Sequence, residues 1–435
     1  MNIRIVNWNP ARRSRTIEIF LKRPAFDAEA EKVAAELLLD IKTRGEPAVL
    51  AAISQYEGIS LKASELRVSK AEFDDAESKV PEHIKRQIEE ARARVAEFSR
   101  KSMRQDWTMK TPHGGTLGEF HSPLSRVGIY VPGGTAPLAS TVIMTATLAQ
   151  TAGVPEIVAC TPTGKTKQLN AAMLYAMRVS GVTEAYRVGG IQAIGMMAYG
   201  IRRIEPVRKI VGPGGTFVTA AKRQVYGTVA LDLVAGPSEI AILADDGANP
   251  EFISADLLSQ AEHGTGFERA MFVTDSPDLA QEVAAALSRQ IPKMTRRSFV
   301  KRVTDANGIL LAVAPTIDDG LDLINRFAPE HFELMVRNPA RLLPRITCAG
   351  AVFVGPWTPE SVGDFAAGPS HVLPTGGAAR MFSGLTVDDF RRRTSLVEYQ
   401  EQDLRDALPI IDMFSDIEGL DGHYKSAALR FQTPR

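Results

Sequence analysis

The sequence predicts an α/β protein that contains two units of parallel-rich sheet flanked by helices, with helical extensions at both ends. From residue 126 onward, short apolar runs alternate with helical segments, and glycine-rich turns follow several of these runs. The runs are continuously apolar rather than alternating, which is typical of parallel strands buried on both faces. With 435 residues and 44% hydrophobic content, the chain is long enough for two or three domains with buried cores.

Two amphipathic helices are predicted before the first strands. Asp27 is a suitable cap for the first helix, which ends at Arg44-Gly45, and the second extends from about residue 81 to residue 99. Their apolar residues recur at spacings of three and four: Val33, Ala34, Leu37, Leu38 and Ile41 in the first, and Ile84, Ile88, Ala91, Val95 and Phe98 in the second. Residues 1–25 are assigned to an N-terminal extension.

The first block of strands alternates with helices. Predicted strands cover residues 127–131, 156–160, 184–188 and 209–211, and predicted helices cover 140–152, 170–180 and 190–197. Glycine-rich turns at 131–135, 188–192 and 211–215 follow three of these strands, but none completes the Gly-x-Gly-x-x-Gly fingerprint. Each turn alone is compatible with a structural role. Three at successive strand ends favour a bound ligand, since ligands of open α/β sheets bind at the carboxyl ends of the strands.

A second block of strands follows from residue 239. Predicted strands cover residues 239–244, 270–273, 308–313, 332–335 and 351–354, and a predicted helix covers 250–262. Residues 386–435 have no strand-like run, so they are predicted to form a helical tail. The predicted domains are therefore 130–238, a larger α/β domain made of 26–129 together with 239–385, and the tail at 386–435.

Composition excludes several classes of protein. Lys plus Arg and Asp plus Glu both number 51, and no basic stripe with interleaved aromatic residues suggests nucleic acid. No apolar run is long enough for a membrane span, and the N-terminus lacks the features of a secretory signal. Cys160 and Cys348 lie far apart and fit buried, reduced thiols. These observations predict a cytoplasmic protein.

Four of the seven histidines lie in the C-terminal half, each near an acidic residue. The pairs are Glu262 with His263, Glu330 with His331, Asp364 with His371, and Glu418 with His423. Imidazole titrates near neutral pH and is a common metal ligand, and a carboxylate can orient it. The pattern predicts a metal-assisted acid–base site whose residues are dispersed in sequence and gathered by folding.

Each pair also has a simpler interpretation. Gln260 and His263 would share one helix face, which suits two ligands of one ion or an ordinary surface pair. Glu330 and His331 follow Pro329. They are either a water-activating carboxylate beside a general base, brought together by a turn, or an exposed loop acid and a histidine whose hydrogen bonds are satisfied. Glycines and prolines in the loop 361–375 suit backbone close to a ligand. The segment 418–423 is equally compatible with a helix C-cap.

Several long strings resemble the histidinol dehydrogenase family, from about residue 20 to residue 430. They lie at 130–138, 187–194, 209–214, 235–239, 257–263, 328–331 and 368–375. The resemblance implies nucleotide-binding units that are Rossmann-like but incomplete, with residues 130–238 as the nucleotide-binding domain. It also implies that the larger domain carries the metal and catalytic residues, and that the tail contacts a partner subunit.

The resemblance also implies roles for individual residues. The zinc ligands would be Gln260, His263, Asp364 and His423, with one zinc per subunit and His423 contributed by the neighbouring subunit of a homodimer. The catalytic pair would be Glu330 and His331. Substrate contacts would come from Ser238, His371 and Glu418, together with His331 and the four zinc ligands. The nucleotide, NAD, would contact Tyr130, Gln192 and the position of Gly215.

One position departs from the family. The family commonly has Asn where this chain has Gly215, which removes one hydrogen-bonding side chain, worth about 0.5–1.5 kcal/mol if made. The loss would weaken cofactor binding unless Thr216 or a water replaces the contact.

The activity implied by the resemblance is a zinc-dependent, four-electron oxidation of L-histidinol to L-histidine with two NAD. One alternative is a dehydrogenase of the same family that acts on another small alcohol, such as a sulfopropanediol. A non-catalytic nucleotide- or metal-binding regulator is the other alternative. It is disfavoured because neither the ligands nor the Glu-His pair is lost.

Overall fold

The computed structural model describes residues 3–22, 27–133, 138–234, 236–263 and 265–432. The chain divides into a main unit, formed by Met1–Ser102 with Leu124–Phe390, and a small unit, formed by Met103–Pro123 with Arg391–Arg435. Strands and helices alternate through much of the main unit, and its sheets are parallel, so the predicted α/β class is confirmed. The division into a nucleotide-binding domain at 130–238 and a larger domain stays a prediction.

The helices of the main unit are α1 (Arg15–Leu21), α2 (Ala28–Arg44), α3 (Glu46–Ala52), α4 (Lys70–Lys79), α5 (Glu82–Ser102), α6 (Ala139–Thr151), α7 (Ala171–Val179), α8 (Gly190–Tyr199), α9 (Thr216–Val225), α10 (Pro250–Ala261), α11 (Pro277–Gln290), α12 (Arg297–Asp305), α13 (Ile317–Phe327) and α14 (Glu360–Phe365). Those of the small unit are α15 (Glu401–Glu418) and α16 (Asp421–Ala428). The strands are β1 (Arg4–Asn7), β2 (Trp107–Lys110), β3 (Thr116–Pro123), β4 (Arg126–Tyr130), β5 (Glu156–Cys160), β6 (Glu184–Tyr186), β7 (Lys209–Val211), β8 (Ala230–Leu231), β9 (Glu239–Ala244), β10 (Arg269–Thr274), β11 (Ile309–Val313), β12 (His331–Met335), β13 (Ala351–Val354) and β14 (Arg391–Glu398).

Helix α2 begins and ends where the sequence predicts. The Asp27 carboxylate accepts a hydrogen bond from the Ala30 N–H at 2.9 Å, which satisfies one free donor of the first turn. Gly45 follows the last residue with a φ of 64°, a conformation that a glycine adopts without steric cost. The buried face of α2 packs on α8 and α9, and Gly195 lets Ile41 approach α8 closely, because a Cβ there would lie 2.9 Å from Ile41 Cδ1.

The first parallel sheet has the strand order β6-β5-β4-β7-β8. From β4 the chain adds strands outward on one side, then returns to add β7 and β8 on the other. The carboxyl ends of β4 and β7 therefore border a crevice, which is where open α/β sheets bind ligands. Every residue of β4 is buried, which explains its continuous apolar run. Both cysteines are free; Cys160 is buried in β5, and Cys348 is only partly buried.

The second parallel sheet has the order β1-β11-β10-β9-β12-β13. In β9, Ile240 and Ile242 belong to the core on one face, while Ala241 and Leu243 belong to the core on the other. Burial of both faces is the physical reason for the unbroken apolar sequence of this strand. Strand β1, at the edge of this sheet, lies in the segment predicted as a helical extension, and α1 follows it.

The small unit contains an antiparallel sheet in the order β14-β3-β2, together with α15 and α16. The prediction that residues 386–435 contain no strand is wrong, since β14 pairs with β3 from Arg391 opposite Pro123 to Glu398 opposite Thr116. Most of β14 is exposed, so no apolar pattern marks it, and its pairing partner is distant in sequence. The Asp403 carboxylate joins the parts of this unit by accepting hydrogen bonds from the Thr111 hydroxyl and the His113 N–H.

Candidate functional site

Glu330 and His331 lie at the amino end of the second parallel sheet. Helix α13 ends at Phe327, and its C-cap Ala328, with a φ of 52°, turns the chain before Pro329 and places Glu330 directly before β12. Both side chains are buried, so Glu330 is not the exposed loop acid of the simpler interpretation. The Glu330 Oε2 accepts a hydrogen bond from the N–H of Glu239, the first residue of the neighbouring strand β9, at 3.0 Å.

The surroundings of His331 fix which ring nitrogen carries a proton. Its Nδ1 lies 3.0 Å from the Gln260 side-chain oxygen and 3.2 Å from the Glu239 carbonyl oxygen, and both of these atoms are acceptors. Nδ1 therefore donates, which leaves Nε2 with its lone pair. Nε2 is buried and has no hydrogen-bond partner among the described residues. Burial lowers the pKa of His331 to about 4, so the ring is neutral at neutral pH.

A group able to hold a metal ion lies beside this ring. It consists of His263, Glu360 and Asp364 and is called the metal-capable group below. Each residue offers a ligand atom, and these atoms lie within 4.8 Å of one another. Asp364 Oδ1 is also 3.8 Å from His331 Nε2. Helix α10 follows β9 and returns toward its amino end, which brings His263 to the site. Imidazole and carboxylate are ligands that zinc accepts, so the residues present fit a zinc ion.

Gln260 links the metal-capable group to His331. It is completely buried in the last turn of α10, and its Nε2 lies 3.3 Å from His263 Nδ1. The predicted pairing of Gln260 and His263 at the helix end is therefore present in the structure. The Gln260 Oε1 accepts a hydrogen bond from His331 Nδ1 and retains a second lone pair, which an ion or a donor could use.

Glu360 was not identified from the sequence. Its carboxylate accepts a hydrogen bond from the Ser259 hydroxyl at 2.6 Å and lies 3.8 Å from His331 Nδ1. Glu360 and Asp364 are four residues apart on α14, so they share one helix face. That spacing was the available signal, but α14 is too short to be predicted from periodicity.

Three carboxyl groups lie together at the metal-capable group: Glu333 and Glu360 are buried, and Asp256 is partly buried. Glu333 accepts the Glu360 N–H at 2.7 Å, and its carboxyl shares a hydrogen bond with that of Asp256. Burial raises the pKa of Glu333 well above its usual range, and burial raises the pKa of Asp256 to about 6. Two carboxyl groups can share a hydrogen bond only if one keeps its proton, so we infer that Glu333 is the protonated partner.

We expect Glu333→Gln to stabilise the fold by about 1 kcal/mol. The amide keeps the acceptor for Glu360 and donates to Asp256 without a proton being taken up. The folded wild-type protein retains the Glu333 proton to a higher pH than the unfolded chain does, so its stability falls as pH rises above the usual carboxyl pKa. The gain should therefore be present at neutral pH and vanish at acidic pH, where both states are protonated. Thermal unfolding at several pH values tests this, and a loss of stability at neutral pH would contradict it.

Two further residues of the main unit are predicted to contact the substrate. His371 lies beside Asp364, and Ser238 lies directly before β9. The His371 Nδ1 lies 3.2 Å from the Asp364 carbonyl oxygen, and burial lowers the pKa of His371. Ser238 directly precedes β9 and is partly buried. The loop glycines were predicted to lie close to a ligand. That stays a prediction; a Cβ at Gly363 would meet the Phe353 ring at 2.4 Å, so this glycine also permits close packing within the protein.

Glu418 and His423 belong to the small unit. Glu418 is the last residue of α15, and His423 lies on α16; both are exposed. The His423 N–H donates to the Leu420 carbonyl oxygen at 2.9 Å, and its ring is not engaged by any hydrogen bond between described residues. Within the main unit, the structure brings Gln260, His263, Glu330, His331, Asp364 and His371 together.

The predicted nucleotide residues lie at the carboxyl end of the first parallel sheet. Tyr130 is the last residue of β4, and its hydroxyl accepts a hydrogen bond from the Gly190 N–H at 3.2 Å. The Gln192 Nε2 donates to the Glu57 Oε1 at 2.9 Å. Gly215 is the N-cap of α9, after β7, and a Cβ there would have no atom of the described residues within 4 Å. The space at Gly215 would accept a larger side chain, so steric crowding does not explain the departure from Asn.

Comparison with known proteins identifies the family. The family model described as Histidinol dehydrogenase matches residues 21–431. A histidinol dehydrogenase of Heliobacterium mobile is 41% identical over 94% of this chain and 96% of its own length, and one of Lactiplantibacillus plantarum is 38% identical over 99% of each. The chain belongs to the histidinol dehydrogenase family. The crystal structure of a histidinol dehydrogenase from Elizabethkingia anophelis superposes with a TM-score of 0.92 at 32% identity, covering 99% of this chain and 98% of that one.

Membership of the histidinol dehydrogenase family makes the chain an NAD-dependent oxidoreductase. The residues at the first sheet fit such a nucleotide, since the buried Oε2 of the partly buried Glu57 lacks a hydrogen-bond donor among the described residues. Of the helices that the structure describes, none combines the length and apolar content needed to cross a bilayer.

Proposed function

We propose that the protein catalyses the last step of histidine biosynthesis, the zinc-dependent oxidation of L-histidinol to L-histidine with two NAD. The observation that carries the proposal is the buried, neutral imidazole of His331. Its Nε2 has no hydrogen-bond partner among the described residues and lies 3.8 Å from Asp364 Oδ1 in the metal-capable group. A base of this kind is needed to remove a proton from an alcohol as hydride leaves. A cytoplasmic location stays a prediction from the sequence.

In this proposal, Gln260, His263, Asp364 and the partner subunit's His423 hold the zinc. Zinc bound there would fix the amine and imidazole of the substrate and so orient its reacting carbon. The Glu360 carboxylate, held by Ser259, lies within the same group and adds negative charge that favours a cation. Ser238, His371 and Glu418 are proposed to contact the substrate.

His331 is proposed to act as the base in both oxidation steps. NAD supplies the hydride acceptor in each step, and one water supplies the second oxygen of the product carboxylate. In the first step, His331 Nε2 takes the hydroxyl proton. As Nε2 gains this proton, the Nδ1–H continues to donate to the Gln260 and Glu239 oxygens, which stabilises the charged ring. Nε2 releases this proton to solvent between the steps, because burial lowers the pKa of His331 to about 4, and in the second step it takes a proton from the hydrated aldehyde.

Glu330 is proposed to activate the water between the two steps. Burial raises the pKa of Glu330 well above its usual range, which makes its carboxylate a stronger base than an exposed one. The Glu239 N–H holds one carboxylate oxygen at 3.0 Å and so fixes the direction of the other. This arrangement allows a proton to pass from water to the free carboxylate oxygen.

The activity is tested with purified, zinc-loaded protein, NAD and L-histidinol. We expect two NADH for each histidine formed, with no NADH when histidinol is omitted. The competing function is oxidation of another small alcohol by a member of the same family. Turnover of a sulfopropanediol or another amino alcohol, without turnover of histidinol, would overturn the proposed substrate.

We also propose that the protein is a homodimer in which each site takes His423 from the partner subunit. On α15, four exposed apolar side chains lie at helical spacing on one face: Ile410, Met413, Phe414 and Ile417. An exposed apolar stripe of this kind is a common feature of interaction surfaces. The same small unit carries His423, so covering the stripe with a second copy is compatible with a shared site.

We expect Ile417→Asp to raise the dissociation constant of the dimer at least about tenfold, because it places a charge within an apolar contact. Ile417 is 71% exposed, so the substitution should not disturb the isolated fold. Light scattering after size-exclusion chromatography measures the molar mass of the protein in solution. The zinc content of each subunit should fall as the dimer dissociates. Ile19→Asp is the matched control, at an isoleucine 58% exposed on α1. An unchanged dimer mass for Ile417→Asp across dilution would contradict the proposed interface.

A further inference from the structure

The carboxylate of Glu57 lies at the nucleotide-binding end of the first sheet with only one of its oxygens in use. Oε1 accepts hydrogen bonds from the Gly189 N–H at 3.0 Å and from Gln192 Nε2 at 2.9 Å. Oε2 is buried and has no hydrogen-bond partner among the described residues. A buried carboxylate oxygen without a donor is costly, which indicates that a donor from outside the chain is expected there.

The fold holds Glu57 firmly in this place. It ends a single π-helical turn, Ile53–Glu57, which continues α3, and Gly58 then reverses the chain with a φ of 67°. Ile53 is completely buried, and α3 packs on α8, the helix that carries Gln192. Glu57 is far from the sheet in sequence, so no nucleotide-binding motif includes it.

The strand order shows what the free oxygen would face. In sheets of this order, the adenosine ribose of a dinucleotide lies near the end of the second strand, where an acidic side chain usually accepts its 2′-hydroxyl. The second strand here is β5, which ends at Cys160 and is followed by Thr161 and Pro162, so it supplies no acid.

Glu57 lies close enough to the end of β5 to take that role. A Cβ on Gly189 would lie 2.7 Å from Pro162 Cβ, so the Gly189 backbone, whose N–H binds Glu57, packs directly on the second residue after β5. The terminal torsion of a glutamate is soft, and Glu57 as a whole is only partly buried, so a small rotation presents Oε2 to a hydroxyl.

We propose that Glu57 recognises the adenosine ribose through its free oxygen and makes the chain select NAD over NADP. The hydroxyl of NAD would donate to the carboxylate, whereas the 2′-phosphate of NADP would face a like charge. The selection rests on the proposed function, in which Tyr130 and Gln192 hold the nucleotide. The exposed Lys165 and Lys167 follow β5 and are the cations that could instead favour a 2′-phosphate.

Glu57→Gln tests the selection without substrate or turnover. The amide keeps an acceptor for Gly189 and Gln192 and removes the charge. Titration of NADH and NADPH, followed by nucleotide fluorescence, gives a dissociation constant for each. We expect wild-type protein to bind NADH more tightly, and Glu57→Gln to bind NADH about tenfold more weakly, so that the ratio of the two constants falls at least about tenfold. Glu36→Gln, at an exposed glutamate of α2, is the control and should leave the ratio unchanged.

The outcomes separate this proposal from the proposed function. Equal loss of both nucleotides in Glu57→Gln, or no change in either, would overturn the role of Glu57 and leave the nucleotide site intact. Wild-type protein that binds NADPH as tightly as NADH would also overturn it. Wild-type protein that binds neither would contradict the site at Tyr130 and Gln192 itself. Should Glu57→Gln not fold, Glu57→Asp retains the charge and is expected to keep the preference for NADH; a preference lost in that variant would count against the proposal.

Discussion

We expect His331→Asn to lower kcat about a thousandfold while zinc content stays at the wild-type level. The asparagine amide can still donate to the Gln260 side-chain oxygen, as His331 Nδ1 does at 3.0 Å, so Gln260 and His263 should keep their positions. What is lost is Nε2, the buried nitrogen that has no hydrogen-bond partner among the described residues. If this nitrogen is the base, both oxidation steps become slow, because each needs a proton removed as hydride leaves.

The measurement is the steady-state rate of NADH formation with L-histidinol, together with zinc content by mass spectrometry. Adding histidinal instead of histidinol isolates the second oxidation, which should be slowed as well. His83→Asn provides a control at an exposed histidine of α5 and should retain the wild-type rate. A His331→Asn rate within about threefold of wild type would exclude His331 as the base, since general-base catalysis contributes about 100-fold or more.

The fold could be predicted wherever strands are buried on both faces. In β4, β5, β9 and β10, the core alone decides the residue type, so an unbroken apolar run identifies each strand. Strand β14 could not be found in this way, because most of its residues are exposed and its register depends on β3, whose paired residues lie about 270 to 280 positions earlier. Predictions of this kind fail where pairing, rather than burial, holds a strand.

Most residues of the candidate site could be predicted from the sequence, but their arrangement in space and their protonation could not. The turn at Ala328, a non-glycine residue with positive φ, places Glu330 and His331 at the start of β12, and no local pattern predicts that turn. Burial sets the protonation of both side chains, and burial follows from the sheet around β12 rather than from the local sequence. Glu360 was missed for a related reason: its neighbours in space, Ser259 and Glu333, come from other elements.

We expect His263→Asn to weaken zinc binding at least about 100-fold, because loss of a metal-bound imidazole should cost no less than loss of a residue that only supports one. His263 lies just beyond α10, and its Nδ1–H donates a hydrogen bond to the Gln260 backbone carbonyl oxygen at 3.1 Å, which holds the ring in place. This leaves Nε2 as the ring atom available to the ion, beside the carboxylates of Asp364 and Glu360. Asparagine is too short to carry a nitrogen to the position of Nε2.

Equilibrium dialysis against buffered zinc, followed by metal analysis, measures the change in affinity without reference to activity. Glu262→Gln is the matched control: it is the neighbour of His263, it caps the same helix, and it belongs to no proposed ligand set. That variant should bind zinc as the wild type does, because its side chain is not required by the metal-capable group. Full zinc retention by His263→Asn would contradict the proposed ligands and would assign the ion to the carboxylates of α14, which hold a cation by charge and need no imidazole.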